Sequence, residues 1–150
     1  MKINRIKYYD AGIFLVRFSM GITFLSAVAS RFSLWGDKSS GWDAFLLYAA
    51  EVNSFIPDVF VPFLALTATI LESVFGILLI IGYKTRWAAF GSAGLTLMFA
   101  LAMAYSFGFK SPLDYSVFVD SAASFLLFTS PYYKWTIDEK ISKRKNAACY

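Results

Sequence analysis

Histidine is absent from the 150 residues, and cysteine occurs once, at Cys149. The first absence removes the imidazole ligand on which most zinc, copper, non-haem iron and axially ligated haem sites depend. No built-in metal centre or other resident cofactor is therefore expected. With a single thiol the chain has no pair with which to form or exchange a disulfide by itself, so any electron transfer needs a bound organic carrier or a partner. Charge is scarce too. Only 16% of residues are Asp, Glu, Lys or Arg, against 58% hydrophobic and 19% aromatic, which is too little polar surface to cover a soluble domain of this size. The formal charge of +4 comes from basic residues gathered at the two ends and in one short connection, so no nucleic-acid-binding face is expected. No nucleophile and base pair and no fixed-period repeat stands out.

What the sequence does contain is apolar runs at residues 11–30, 59–83, 87–109 and 115–133, each close to or above the ~20 residues that span hydrocarbon as a helix. Ala27, Val28 and Ala29 mimic a signal-peptidase site. The run before them is too long for an export tag, carries Arg17 and leads into further runs, so it is expected to stay as a membrane helix. Lys2, Arg5, Lys7, Lys84, Arg86, Lys134, Lys140, Lys143, Arg144 and Lys145 fall on one side of the membrane, and Arg31, Lys38 and Lys110 on the other. That bias predicts that both termini are cytoplasmic. Short connections between the second, third and fourth runs require antiparallel neighbours.

Within the first outer loop, Trp42, Phe45, Leu46, Ala49, Val52 and Ile56 recur at helical spacing and predict an amphipathic helix over 42–56. Its polar face bears Asp43 and Glu51, so a cap over the outer mouth is expected rather than a grip on anionic lipid. The expected fold is an all-α membrane protein: one antiparallel bundle of four transmembrane helices with this extra helix in the first extracytoplasmic loop. The basic tail, 134–150, fits either the anionic inner leaflet or plain solvation. Ala88, Ser92, Thr96, Ala100, Ala104 and Gly108 form a small-residue stripe along the third run, expected to serve helix packing.

Arg17, Glu72 and Asp120 interrupt the apolar runs, although a charge at the middle of a membrane helix costs ~2.5–3.5 kcal/mol on the lenient insertion scales. At ~1.5 Å per residue, Glu72 lies near mid-span, Arg17 ~6 Å toward the cytoplasm and Asp120 ~5 Å toward the outside. An Arg17–Glu72 bridge is expected on that ground, holding register and no more or serving a site. Asp120 lacks an obvious basic partner at its depth and is a candidate for proton exchange. Near it Tyr105, Tyr115, Ser116, Trp35 and Trp42 offer aromatic planes and hydroxyls that suit either interfacial anchoring or a flat lipophilic ligand.

Three stretches resemble the DoxX family of small membrane proteins. RFSMGITFLSAVASRFSLWG, from Arg17, carries an arginine, a Gly-x-x-Phe and a basic residue where the helix ends. TATILESVFGILLIIGYKTRWAAFGSAGL, from Thr67, has a mid-span glutamate, a Gly-rich second half and a Thr-Arg turn, and FGFKSPLDYSVFVDSAASFLLF, from Phe107, is similar to the last part of a bacterial subgroup. The resemblance covers roughly residues 8–133 and implies a bacterial cytoplasmic membrane. Its intramembrane positions correspond to Arg17, Arg31, Glu72 and Asp120. The family is named for a subunit of an archaeal thiosulfate:quinone oxidoreductase. What this implies is a component of a membrane redox system; taken with the aromatic and hydroxyl groups near Asp120, Glu72 and Asp120 are expected as catalytic carboxyls and Arg17, Arg31, Tyr105, Tyr115 and Ser116 as the groups holding a quinone in the outer half. A partner oxidoreductase or self-association would complete it. The alternatives are a small transport subunit, which would need to oligomerise through the small stripe, and a scaffold recruiting soluble enzymes.

Overall fold

The computed structural model describes residues 2–147, and side chains from 7 to 144; Cys149 lies outside the described residues. Every regular element among them is helical. Helix α1 covers Lys2–Arg31, α2 Trp42–Val52, α3 Val61–Ile81, α4 Thr85–Phe107, α5 Lys110–Asp114, α6 Val117–Thr129 and α7 Ile137–Ala147, with short 3-10 turns at Gly36–Lys38 and Asp58–Phe60. The stretches Lys7–Arg31, Asp58–Ile81 and Thr85–Phe107 are long and apolar enough to cross a membrane.

The last apolar run, expected over 115–133, yields a helix of only 13 residues. Its start is delayed by Ser116, in the left-handed region at φ 56°, and its end is fixed by Ser130, extended at ψ 132°. Pro131 follows, and a residue before proline is pushed out of the helical region. Likewise the helix expected over 42–56 stops at Val52. There the side chain and backbone N–H of Asn53 both donate to Ala49 O, at 2.8 and 3.1 Å, and Pro57 forbids a helical Ile56.

The packing forms a ring. α1 lies mainly against α3 and α4 against α6, with α3–α4 and α1–α6 contacts closing the circuit and α2 lying over α3 and α4. Large apolar side chains such as Phe63, Trp87 and Met98 point outward, while Ser92, Thr96, Ser124, Arg17 and Glu72 are buried. This inverts a soluble protein's arrangement and is what lipid demands. Ala88, Ser92, Thr96 and Ala100 of the α4 stripe are at most 4% exposed, so that part of the stripe is spent inside this chain, while Ala104 is half-buried and Gly108 exposed.

At the α1–α3 contact, a Cβ on Gly21 would lie 3.0 Å from Gly76 O and 2.6 Å from the Ile80 side chain, so only glycine allows this approach. At the other end of α3, Gly82 sits at φ 68° and terminates the helix with its N–H on Leu78 O at 2.9 Å. The turn is clasped from below by the start of α7. Asp138 accepts the N–H groups of Lys84 and Thr85, both at 2.8 Å, and donates its own N–H to Gly82 O at 3.0 Å. A carboxylate on the unpaired donors at a helix start contributes about 1 kcal/mol. One turn into α7, Glu139 bonds Lys143 at 2.7 Å and the Trp135 N–H at 2.9 Å. These two contacts, Lys143 first, hold its carboxyl below the usual carboxylate range. The support is complete above the ordinary pKa and fades only as pH falls through the lowered one.

A Cβ on Gly82 would meet Thr136 at 2.6 Å and the Arg17 guanidinium at 2.9 Å, whereas one on Gly94 meets nothing within 4 Å. Gly82→Ala is predicted to destabilise by about 2–4 kcal/mol, from left-handed strain and overlap together. Gly94→Ala should be neutral or stabilise by about 0.5–1 kcal/mol through helix propensity. Thermal unfolding of both variants in mild detergent checks this; equal midpoints would show that the turn is not under this constraint.

Candidate functional site

A cavity of about 820 Å³ lies between α2, α3 and α4, within the size range of small-molecule sites. Its walls are apolar: Phe45, Ala49 and Val52 from α2, Leu64, Ala68 and Leu71 from α3, and Leu95, Phe99 and Met103 from α4. Lipid-facing Met98, Leu101 and Tyr105 edge it on α4. Polar atoms are few, and the charged ones gather at one end, where Arg31 and Glu72 meet.

Arg31, the last residue of α1, is 8% exposed and Glu72 is 3% exposed. Arg31 Nη1 stands 2.5 Å from Glu72 Oε2 and donates to Thr69 Oγ1 at 2.8 Å, and Thr69 in turn donates to Ala65 O at 2.8 Å. The guanidinium carbon lies 3.8 Å from the centre of the Phe45 ring, in cation–π range. One side chain thus joins the end of α1, the middle of α3 and the underside of α2. Removing one member of a buried pair costs about 3–5 kcal/mol, because the other charge is left uncompensated.

The expected Arg17–Glu72 bridge does not form. Arg17, 1% exposed, donates through Nη1 to Leu79 O at 2.5 Å and Ile80 O at 2.8 Å, and through Nη2 to Trp135 O at 3.2 Å. It lies outside the cavity lining and serves the last carbonyls of α3, a helix end where positive charge is favourable. The reason is geometric. Side chains on a helix lean toward its N-terminus, and α1 and α3 run antiparallel. Glu72 therefore leans toward the α2 end, as Arg31 leans down to meet it, while Arg17 leans away. Comparing depths along the helices missed this, although the lean is implicit in the chain directions.

Of the other candidate residues, Tyr105 edges the cavity, 73% exposed, with its ring 5.1 Å from Phe55 in an edge-on arrangement. Asp120 is half-buried in the first turn of α6, and Tyr115 and Ser116 are exposed just before it. None of these three lines the cavity, although Val117, one helical turn from Asp120, does. Trp42 stacks on Phe32 at 6.2 Å and Trp35 donates its ring N–H to Ser26 O at 3.3 Å. Sequence reasoning missed Phe45 as the cap on Arg31; its helical spacing put it on a buried face without saying what it covers. Among the described residues no group of Asp, Glu or Cys is placed to hold a metal ion.

Comparison with known proteins gives a family. The DoxX family model matches residues 12–105, from early α1 to the end of α4, and so takes in Arg17, Arg31, Glu72 and most of the cavity wall. No curated protein and no solved structure matches significantly. More than half of the chain is matched, and the helices that carry the match are those long enough to cross a bilayer: the protein belongs to the DoxX family and is an all-helical, multi-pass membrane protein.

Proposed function

We propose that the cavity binds a flat, lipophilic, quinone-like molecule and that the protein is the membrane component of a redox system in the bacterial cytoplasmic membrane. In this reading α6, lengthened at each end by its flanking residues, makes a fourth crossing of the bundle. Both termini are cytoplasmic, and α2 with the cavity faces outward, as the distribution of Lys and Arg favours. One observation carries the proposal: a buried Arg31–Glu72 pair at the end of an otherwise apolar cavity whose other edge is lipid-facing. Such a space receives its ligand sideways from the bilayer, apolar tail toward Met98 and Leu101 and polar head toward Arg31.

The donor set fits the class. Arg31 engages Glu72 and Thr69 through Nη1, and a guanidinium has further N–H groups with which to donate to a carbonyl oxygen. Glu72 beside it is an acceptor, and the aromatic rings of Phe45, Tyr48 and Tyr105 line the walls as stacking surfaces for a flat ring. A bound quinone supplies the redox couple, and its reduction takes up protons. Glu72 and Asp120 are the carboxyls assigned to proton exchange, Glu72 at the cavity end and Asp120 on the helical face that continues from Val117. A partner oxidoreductase supplies the electrons. Arg17, expected among the quinone-holding residues, lies outside the cavity lining and supports the site by fixing the end of α3.

Two tests follow. In protein purified in native nanodiscs, mass spectrometry is expected to find a co-purifying quinone in the wild type. Ala68→Trp, which puts bulk into the cavity while leaving the ion pair's own residues unchanged, should lose it, and Glu72→Gln should weaken retention about tenfold or more, near 1.4 kcal/mol. Asp120→Asn should retain quinone and slow its reduction by membranes. Absence of quinone from the wild type, or full retention by Ala68→Trp, would remove the redox reading. For orientation, a cysteine replacing exposed Leu47 of α2, in a Cys149→Ser background, should react with an impermeant maleimide on intact cells. Reaction only after lysis would reverse the assignment.

A further inference from the structure

The tail helix offers a second surface. α7 starts where Asp138 and Gly82 tie it to the α3–α4 turn, with Thr136 buried beneath and the Trp135 carbonyl held by Arg17. Its start is therefore anchored at the same level as the end of a membrane-crossing helix, at the edge of the hydrocarbon. Both acids of its first turn are engaged: Asp138 on the start of α4, Glu139 on Lys143 and the Trp135 N–H. Ile137, Lys140, Ile141 and Arg144 follow at i, i+3, i+4 and i+7 and share one helical face. All are exposed, the two isoleucines at 40% and 39%, and Trp135, 61% exposed, stands just before them. An acid-free face that mixes isoleucine with Lys and Arg, anchored at the membrane edge, matches a surface of apolar chains under negative headgroups.

We propose that α7 lies on the inner leaflet, with Ile137 and Ile141 in the headgroup boundary and Lys140 and Arg144 on anionic phosphates. The inner leaflet rests on the orientation proposed above; contact with an anionic lipid surface does not. In this arrangement α7 is a lateral anchor that loads the α3–α4 turn through Asp138, and the acidic lipid content of the membrane sets how firmly.

The test uses the full chain with Cys149→Ser and a single fluorophore-labelled cysteine at position 141, on this face, or at 142, on the far one. Nanodiscs of brominated phosphatidylcholine with phosphatidylglycerol should quench the label at 141 at least about twofold more than the label at 142. The ratio should fall toward one in phosphatidylcholine alone, and in the double variant Lys140→Gln/Arg144→Gln, whose changes lie on exposed side chains. Equal quenching at 141 and 142 in anionic discs would overturn the proposal and leave the face to a soluble partner. So would a difference that survives both neutral lipid and the double variant. An impermeant maleimide applied to intact cells at position 142 separates the two premises: reaction from outside would overturn the inner-leaflet placement and the orientation while leaving the quenching result to judge lipid contact.

Discussion

The close approach of α1 and α3 at Gly21 and Gly76 governs the rest. Two antiparallel helices brought this near leave no room for bulk between them, so their long polar side chains must leave the contact along the helix axes. The backward lean of helical side chains then sends Arg31 and Glu72 toward each other and Arg17 toward the last turn of α3. Each charge finds its compensation without crossing the other's path: Arg31 in a carboxylate, Arg17 in main-chain carbonyls. In hydrocarbon, where an unsatisfied polar group costs several kcal/mol, this is what allows α1 to carry Arg17 and Arg31.

From that seam the two ends of the molecule acquire different characters. At the α2 end the ion pair closes one side of a space that α2 roofs, and the remaining lining is mostly apolar, so among the described residues the pair is the only charged feature a molecule in that cavity would meet. At the other end several charges join chain segments. Asp10 meets Lys134 at 2.9 Å, Tyr9 meets Ser130 at 2.8 Å, and Arg17 and Asp138 grip opposite sides of the α3–α4 turn. Ala88, Ser92, Thr96 and Ala100 of the α4 stripe are buried as well, so the oligomeric contact that a transport reading would require cannot use that part of it.

Most of this architecture was legible in the sequence. The long apolar runs, a helix between the first two of them and the burial of Arg17 and Glu72 follow from length, period and the cost of charge in lipid. Of the three stretches that carried the family resemblance, those from Arg17 and Thr67 lie within the matched residues and the one from Phe107 lies beyond them. What was not legible depended on direction and on local backbone. The pairing of Glu72 with Arg31 rather than Arg17 follows from side-chain lean, which depth alone does not contain. The shortness of α6 follows from Ser116 in the left-handed region and from Pro131, which mean hydropathy averages away. The role of Asp138 belongs to a tail that reads as hydrophilic, and only the fold brings it under a turn more than fifty residues earlier.

Arg31 also links the cavity to its roof. Its guanidinium lies against Phe45 of α2 while Nη1 faces Glu72 and Thr69 of α3. A carbonyl ligand of the proposed kind, drawing on the remaining N–H groups of Arg31, would share it with both helices. Strengthening a third contact on one planar group shifts the other two, because their geometry is fixed in a single fork. Under the proposed function, occupancy of the cavity and the seating of α2 would be coupled through one side chain. A substitution such as Phe45→Leu, which weakens the roof contact without opening the ion pair, acts on that coupling and leaves the charge compensation inside the membrane in place.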